Sequence, residues 1–260
     1  MYSLLRVEKE NNVATVVINN PPMNVLSELL ASELCDAFTE LRDDHSVVTV
    51  ILTGEGDRAF MAGADIKEFP NMINQSMEAK KQPSKKNEVF RLISDFPKPT
   101  IAYLNGITLG GGFELALVCD LRIAKETAQL GLPEVKLGLF PGGGGTQRLP
   151  RLIGSAKAKE LMFTGDSITA EEALQLGIIN QIATDEEGIE AARKLARKIS
   201  RHSLQALRRI KQAVNEGTDS QLQDGLELES NLFQEIFTTE DMKEGVTAFL
   251  EKRRPVFTHQ

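Results

Sequence analysis

The chain changes its pattern at a run of four glycines, Gly142 to Gly145. Before this run, short apolar segments rich in β-branched residues alternate with segments of helical spacing, and after it nearly every segment has helical spacing. No clear repeat at a fixed period accompanies the alternation. The shift predicts an α/β protein in two parts, a core over residues 1–195 and a helical region over residues 196–260.

The elements themselves are predicted from periodicity and from turn residues. The predicted strands cover residues 3–9, 13–19, 47–52 and 100–104. The helices predicted after the glycine run cover residues 155–163, 169–176, 186–200, 203–215, 221–237 and 239–252. The polar stretch of residues 71–87, which contains the lysines from Lys80 to Lys86, is predicted to be a mobile surface segment.

Composition excludes several classes of function. A formal net charge of -7 and the absence of Trp argue against general binding of nucleic acid or of anionic membranes. Cys35 and Cys119 both lie in apolar surroundings, so neither a disulfide framework nor a thiolate metal site is expected. No apolar stretch approaches the roughly 20 residues that span a bilayer, and the first residues lack a signal-peptide pattern. The sequence predicts a cytoplasmic protein.

A glycine-rich motif, Gly110 to Gly112, leads directly to Glu114. The apolar residues 115–119 that follow predict a buried helix with Glu114 in its first turn. Free N–H groups and the helix dipole favour a negative charge at that position. Glu114 therefore either caps its helix or acts as a catalytic group, in which case desolvation would raise its pKa towards neutrality.

A second acid, Glu134, follows Pro133 in a turn. By itself it is an ordinary first-turn acid after a helix-starting proline. Two glutamates close to one glycine loop, however, suggest general acid–base chemistry on a carbonyl substrate.

Other kinds of site lack their motifs. The sequence contains no P-loop, no G-x-G-x-x-G, no G-x-S-x-G and no H-E-x-x-H. His45, His202 and His259 are far apart in polar or terminal positions, where solvation is the expected state and no metal site is predicted.

Several motifs together resemble those of the crotonase, or enoyl-CoA hydratase/isomerase, superfamily. They run in the family's order over nearly the whole chain, and their combination is far more specific than any one of them. The matching segments are residues 61–67, 110–114, 132–135, 138–149, 161–165 and 244–253.

The resemblance implies a crotonase-like spiral of β-β-α units with a C-terminal helical region that forms trimers, often paired as hexamers. It implies a CoA thioester as substrate, with no separate cofactor. The N–H groups of Ala64 and Gly111 would form the oxyanion hole, and Glu114 and Glu134 would be the catalytic acids. By the same resemblance, CoA would be bound by Ala62, Asp65, Ile66 and Lys67, and by Lys252 and Arg253 of a neighbouring subunit.

Both family acids are present, which favours hydration of a short- to medium-chain 2-enoyl-CoA, because family isomerases commonly lack the partner at the position of Glu114. Two alternatives share the fold: a Δ3,Δ2-enoyl-CoA isomerase and a hydratase for branched acyl groups. A third, of another class, is RNA binding or a scaffold role, supported only by the lysine clusters. The pathway, whether fatty-acid β-oxidation or another, is left open by the sequence.

Overall fold

The computed structural model describes residues 2–70 and 84–259, so residues 71–83 of the predicted lysine-rich surface segment lie outside the described part. The strands are β1 (Leu5–Glu10), β2 (Val13–Ile18), β3 (Thr49–Gly54), β4 (Ala59–Met61), β5 (Thr100–Leu104), β6 (Ile107–Leu109), β7 (Leu121–Lys125), β8 (Gln129–Gly131), β9 (Ile168–Thr169) and β10 (Gln181–Ala183).

The α-helices of the described residues are α1 (Glu28–Asp43), α2 (Lys85–Ser94), α3 (Gly111–Val118), α4 (Gly145–Ile153), α5 (Ser155–Thr164), α6 (Ala170–Gln175), α7 (Glu190–Ile199), α8 (Leu204–Thr218), α9 (Leu222–Ile236) and α10 (Glu240–Leu250). Two short 3-10 helices, Ile66–Glu68 and Pro133–Leu137, lie near the site described below. In the described ranges, no helix is both long and apolar enough to cross a membrane.

The strands form two sheets, and successive β-β-α units contribute strands to both of them. The six-stranded sheet has the order β1-β2-β3-β5-β7-β10, and the four-stranded sheet has the order β4-β6-β8-β9. The units that begin at β3, β5 and β7 each place their first strand in the larger sheet and their second strand in the smaller one. Neighbouring strands of successive units are parallel. The spiral of β-β-α units expected from the resemblance is confirmed.

Burial on both faces explains the apolar strand sequences. Every residue of β3 is buried, because Val50 and Leu52 belong to the main core with α1, while Ile51 lies in a second cluster with residues of α7. The main core joins α1 to this sheet, with Phe38 and Phe96 in edge-to-face contact at 5.1 Å between ring centroids. Before these elements, β1 and β2 form a hairpin whose turn residues Asn11 and Asn12 have positive φ.

Three elements after the glycine run were not predicted from the sequence. Residues 145–153 form helix α4, which no predicted helix covered. Its glycine start and internal Pro150 hide the helical pattern, because proline lacks the N–H of a regular helix. The other two elements are the strands β9 and β10, which join the smaller and the larger sheet. With two and three residues, these strands are too short to show an alternating pattern.

The predicted boundary at residue 195 falls inside α7. Ala191, Ala192 and Ala196 of this helix are buried against β-strand residues such as Ile51 and Ile101. The helix thus packs on the larger sheet, and the more exposed helical region begins with α8. The two-part division at residues 195 and 196 stays a prediction.

One glycine fixes how closely α3 approaches β4. A Cβ on Gly112 would overlap the carbonyl oxygen of Met61. We expect Gly112→Ala to push α3 away and to lower the free energy of unfolding by at least about 2 kcal/mol. Chemical denaturation measures the free energy of unfolding of this variant and of the control Gly142→Ala, in which the added Cβ would meet no atom within 4 Å. Equal stability of the two variants would contradict this expectation.

Candidate active site

The first part of the site is the loop that follows β4. Leu26 pairs with Ala64 in a parallel bridge, in which the Leu26 N–H donates to the Gly63 carbonyl and the Asp65 N–H donates to the Leu26 carbonyl. This pattern turns the Ala64 N–H away from Leu26. The Ala64 N–H has no acceptor within the described ranges. Gly63 makes the loop possible because its φ of 100° is rare for residues with a side chain.

The second part is the turn between β6 and α3. Gly110 has a φ of 53°, and its N–H donates to the Gly131 carbonyl at 2.9 Å. Gly111 then begins α3, so its N–H has no partner inside the helix. A Cβ on Gly111 would lie 3.6 Å from the Ala64 nitrogen, so the two residues present a pair of neighbouring backbone N–H groups. Such a pair is a suitable binding site for a carbonyl oxygen that gains negative charge.

Glu114 lies in the first turn of α3, as predicted, and is only 4% exposed. Its Oε1 accepts hydrogen bonds from the N–H groups of Gly143 and Gly145, at 2.7 and 2.8 Å. Burial raises the pKa of Glu114, while the two N–H groups and the nearby charge of Arg148 act in the opposite direction. Glu114 is therefore a desolvated carboxyl that its neighbours stabilise in the ionised form.

Glu134 approaches the same spot from the 3-10 helix Pro133–Leu137, with Pro133 at its start. Its Oε1 would lie 3.2 Å from a Cβ on Gly110. Its Oε2 is buried and has no hydrogen-bond partner in the described part of the chain. Burial, with the charge of Glu114 adding to it, raises the pKa of Glu134 from 4.5 to about 7. A carboxyl of this kind can give or take a proton near neutral pH.

The partners of Glu114 were not predicted from the sequence. Gly143 and Gly145 come from the glycine run, whose pattern marks a change of architecture and part of the resemblance but does not indicate a contact with Glu114. The sequence does contain a signal for this contact, because glycines ahead of a helix leave N–H groups free to bind an anion. Phe90 of α2 also borders the site, because a Cβ on Gly143 would lie 2.6 Å from its ring and 2.8 Å from Glu114 Oε2.

The residues expected to bind CoA divide into two groups. Ala62, Asp65, Ile66 and Lys67 lie beside Ala64, and Asp65 accepts the Lys67 N–H at 3.0 Å as the cap of a 3-10 helix. Lys252 and Arg253 follow α10, where the Arg253 guanidinium binds Glu244 and Glu251. The recorded contacts of Arg253 in the described residues thus do not bring it to the site of the same chain.

The remaining side chains singled out in the sequence lie elsewhere. Cys35 and Cys119 are buried free thiols. His259, expected to be solvated, is instead partly buried, because its Nδ1 accepts the Leu204 N–H at 3.3 Å. This contact holds the C-terminal segment against α8.

The raised pKa of Glu134 has a consequence for stability. The carboxyl ionises near pH 4.5 in the unfolded chain but only near pH 7 in the folded chain. Folding therefore favours the protonated carboxyl, and this contribution to the free energy of unfolding is lost as the pH rises from about 4.5 to about 7. We expect Glu134→Gln to be more stable than wild type by about 1–3 kcal/mol at pH 8, with little difference at pH 4. Thermal unfolding across this pH range checks it, and a difference that does not vary with pH would contradict it.

The sequence and the structure were compared with known proteins. Residues 8–260 match the family described as enoyl-CoA hydratase/isomerase. The crotonyl-CoA hydratase of Syntrophomonas wolfei is 44% identical over 257 residues, which are 98% of each chain. The short-chain-enoyl-CoA hydratase of Clostridium acetobutylicum is 44% identical over 249 residues, which are 95% of each chain.

Solved structures agree with these sequence matches. An enoyl-CoA hydratase from Bacillus anthracis superposes with a TM-score of 0.93 at 38% identity and covers 99% of this chain and 100% of its own. The chain belongs to the enoyl-CoA hydratase/isomerase family. The resemblance and the crotonase-like fold are thereby confirmed, and the expected hydratase activity agrees with the names of these relatives.

Proposed function

We propose that this protein is an enoyl-CoA hydratase. It adds water reversibly across the 2,3 double bond of a short- to medium-chain 2-enoyl-CoA and gives a 3-hydroxyacyl-CoA. The observation that carries the proposal is the arrangement of two carboxyls, the buried Glu114 and the half-buried Glu134, beside two N–H groups without acceptors in the described part of the chain. The names of the relatives support the same substrate class.

The N–H pair would activate the substrate. Attack of water at C3 moves the electrons of the double bond towards the thioester, so negative charge develops on its oxygen. The N–H groups of Ala64 and Gly111 stabilise this enolate-like charge because they are already aimed at the place where it develops.

The two carboxyls would move the protons. Glu114 takes a proton from the attacking water as its oxygen bonds to C3, and Glu134 gives its proton to C2. The two N–H donors on Glu114 support its role as the base, and the pKa of about 7 supports Glu134 as the acid. After addition the proton is on Glu114 and returns to Glu134 for the next turnover. Since the two carboxyls interact, they titrate as a pair.

The test is the reaction of purified protein with crotonyl-CoA and, separately, with the non-conjugated 3-butenoyl-CoA. We expect loss of the conjugated thioester absorbance with the first substrate and formation of 3-hydroxybutyryl-CoA by mass spectrometry. Conversion of 3-butenoyl-CoA into the conjugated ester without hydration would instead indicate the isomerase. A protein inert towards both esters would contradict the proposal.

CoA would extend from the N–H pair along the loop after β4. We propose that Ala62, Asp65, Ile66 and Lys67 border it, because they adjoin Ala64. Lys252 and Arg253 would reach its phosphates from a neighbouring subunit. CoA is part of the substrate in this scheme, and no further cofactor takes part. The free thiols of Cys35 and Cys119 are compatible with a cytoplasmic location.

The helical region supports a homo-oligomer. Its helices expose large apolar side chains, among them Leu222, Phe233, Phe249 and Leu250, which are 65–81% exposed. Monomeric proteins rarely expose so many large apolar groups close together. We propose that further copies of the chain cover this surface in a trimer or a pair of trimers.

Light scattering during size exclusion tests the assembly. We expect three or six times the chain mass of 28.6 kDa. Phe249→Asp should reduce the mass of the assembly, because a charge cannot be buried unpaired in an apolar interface. A wild-type protein of single-chain mass would contradict the assembly, while leaving the hydratase proposal to its own test.

A further inference from the structure

Arg148 lies behind the glycine loop that binds Glu114. It belongs to the first turn of α4, and its Nη1 donates to the Gly143 carbonyl at 3.2 Å. Its Nη2 lies 3.5 Å from the Ser94 hydroxyl oxygen of α2. The guanidinium therefore links Ser94 of α2 to Gly143, and the N–H of Gly143 binds the Glu114 carboxylate.

Gly144 fits closely against this side chain. Its φ is 109°, and a Cβ there would overlap the Arg148 guanidinium. The Arg148 N–H also donates to the Gly144 carbonyl at 2.8 Å. Main chain and guanidinium are thus packed together, so the position of Arg148 fixes the course of the loop from Gly143 to Gly145.

The charge of Arg148 acts on the same carboxylate. It lowers the pKa of Glu114 and so opposes the effect of burial. Glu134 also lies near Glu114, and the Glu114 charge raises the pKa of Glu134. The pKa of Arg148 is in turn affected by the charges of Asp95, Arg151 and Asp219 as well as that of Glu114.

We propose that Arg148 is a positioning residue for the hydration reaction. It holds the N–H groups of Gly143 and Gly145 towards Glu114, and its positive charge favours the ionised carboxylate that accepts the proton of water. The inference rests on the proposed function, in which Glu114 is the base.

The first test is the pH dependence of kcat/KM for crotonyl-CoA in Arg148→Gln. Without the cation, Glu114 holds its proton to higher pH, so the acid limb moves upward. We expect kcat/KM to fall about tenfold on that limb, because a nearby opposite charge changes the ionisation of a carboxyl by at least this factor. The loss should be smallest near the pH at which Glu134 ionises.

Arg151→Gln is the matched control. Arg151 lies on the same helix, is exposed, and pairs with Asp219 at 3.5 Å. We expect its profile to follow that of wild type. A loss in Arg148→Gln that is the same at every pH, with an unmoved acid limb, would overturn the role of the charge.

Arg148→Lys separates position from charge and carries the test if Arg148→Gln does not fold. Lysine keeps the charge but cannot form the fork that binds two oxygens. We expect an acid limb like that of wild type, a kcat reduced several-fold at every pH and a nearly unchanged KM. A wild-type kcat in this variant would overturn the positioning role.

A substrate-free measurement separates this inference from the proposed function. Infrared difference titration follows protonation of the Glu114 carboxyl, with Glu114→Gln as the blank that identifies its band. An upward shift in Arg148→Gln supports the inference even if wild type proves inert towards crotonyl-CoA. No shift beside an active wild type overturns the charge effect and leaves the hydratase proposal standing.

Discussion

Replacing Glu114 by glutamine is expected to lower kcat for hydration of crotonyl-CoA by a factor of about 100 to 10,000, the range that a positioned general base contributes. The amide oxygen of glutamine can still accept the N–H groups of Gly143 and Gly145, so the loop keeps its position. The substitution removes only the capacity to take a proton from water. Stopped assays under substrate saturation, with KM measured alongside, test this result.

Glu33→Gln is a matched control within the same chain. Glu33 is also buried, at 8% exposure, and its carboxylate accepts the N–H groups of Ser3 and Leu4 at 2.8 Å each. The same chemical change is therefore made to a carboxylate with the same kind of partners but outside the site. We expect kcat of Glu33→Gln to stay within about twofold of wild type. A similar loss in both variants would indicate general damage to the fold and would contradict a catalytic role for Glu114.

Local sequence was sufficient to place each glutamate on its element. The apolar run after Glu114 predicts a buried helix with the acid in its first turn, and Pro133 predicts the turn that holds Glu134. These features depend on neighbours in the sequence. The resemblance supplied the spiral fold and the role of Ala64, which periodicity alone does not give.

The groups around the acids could not be predicted in this way, because they are distant in sequence. Gly143 and Gly145 lie 29 and 31 residues after Glu114. Ala64 meets Gly111 only because the bridge to Leu26 holds its loop beside the start of α3. Such contacts follow from how successive β-β-α units stack, and the units share no sequence repeat that would reveal the stacking.

The proposed oxyanion hole consists of backbone groups, so its test requires removal of an N–H. Proline at residue 64 does this, since its ring nitrogen carries no hydrogen. The residue before it, Gly63, is a glycine with a φ of 100°. The Ala64 N–H has no acceptor within the described ranges, so the substitution removes no hydrogen bond of the described fold. We expect Ala64→Pro to lower kcat for crotonyl-CoA about 100- to 1000-fold, the usual cost of one oxyanion-hole donor.

Ala64→Gly is the control because it keeps the N–H and removes only a methyl group. It should retain kcat within about tenfold of wild type, the difference reflecting a more flexible loop. Circular dichroism and the oligomer mass of Ala64→Pro must match those of wild type for the comparison to concern catalysis. If folded Ala64→Pro hydrates crotonyl-CoA as fast as Ala64→Gly, the N–H of residue 64 does not stabilise the developing charge. Activation of the thioester would then depend on the N–H group of Gly111 at the start of α3.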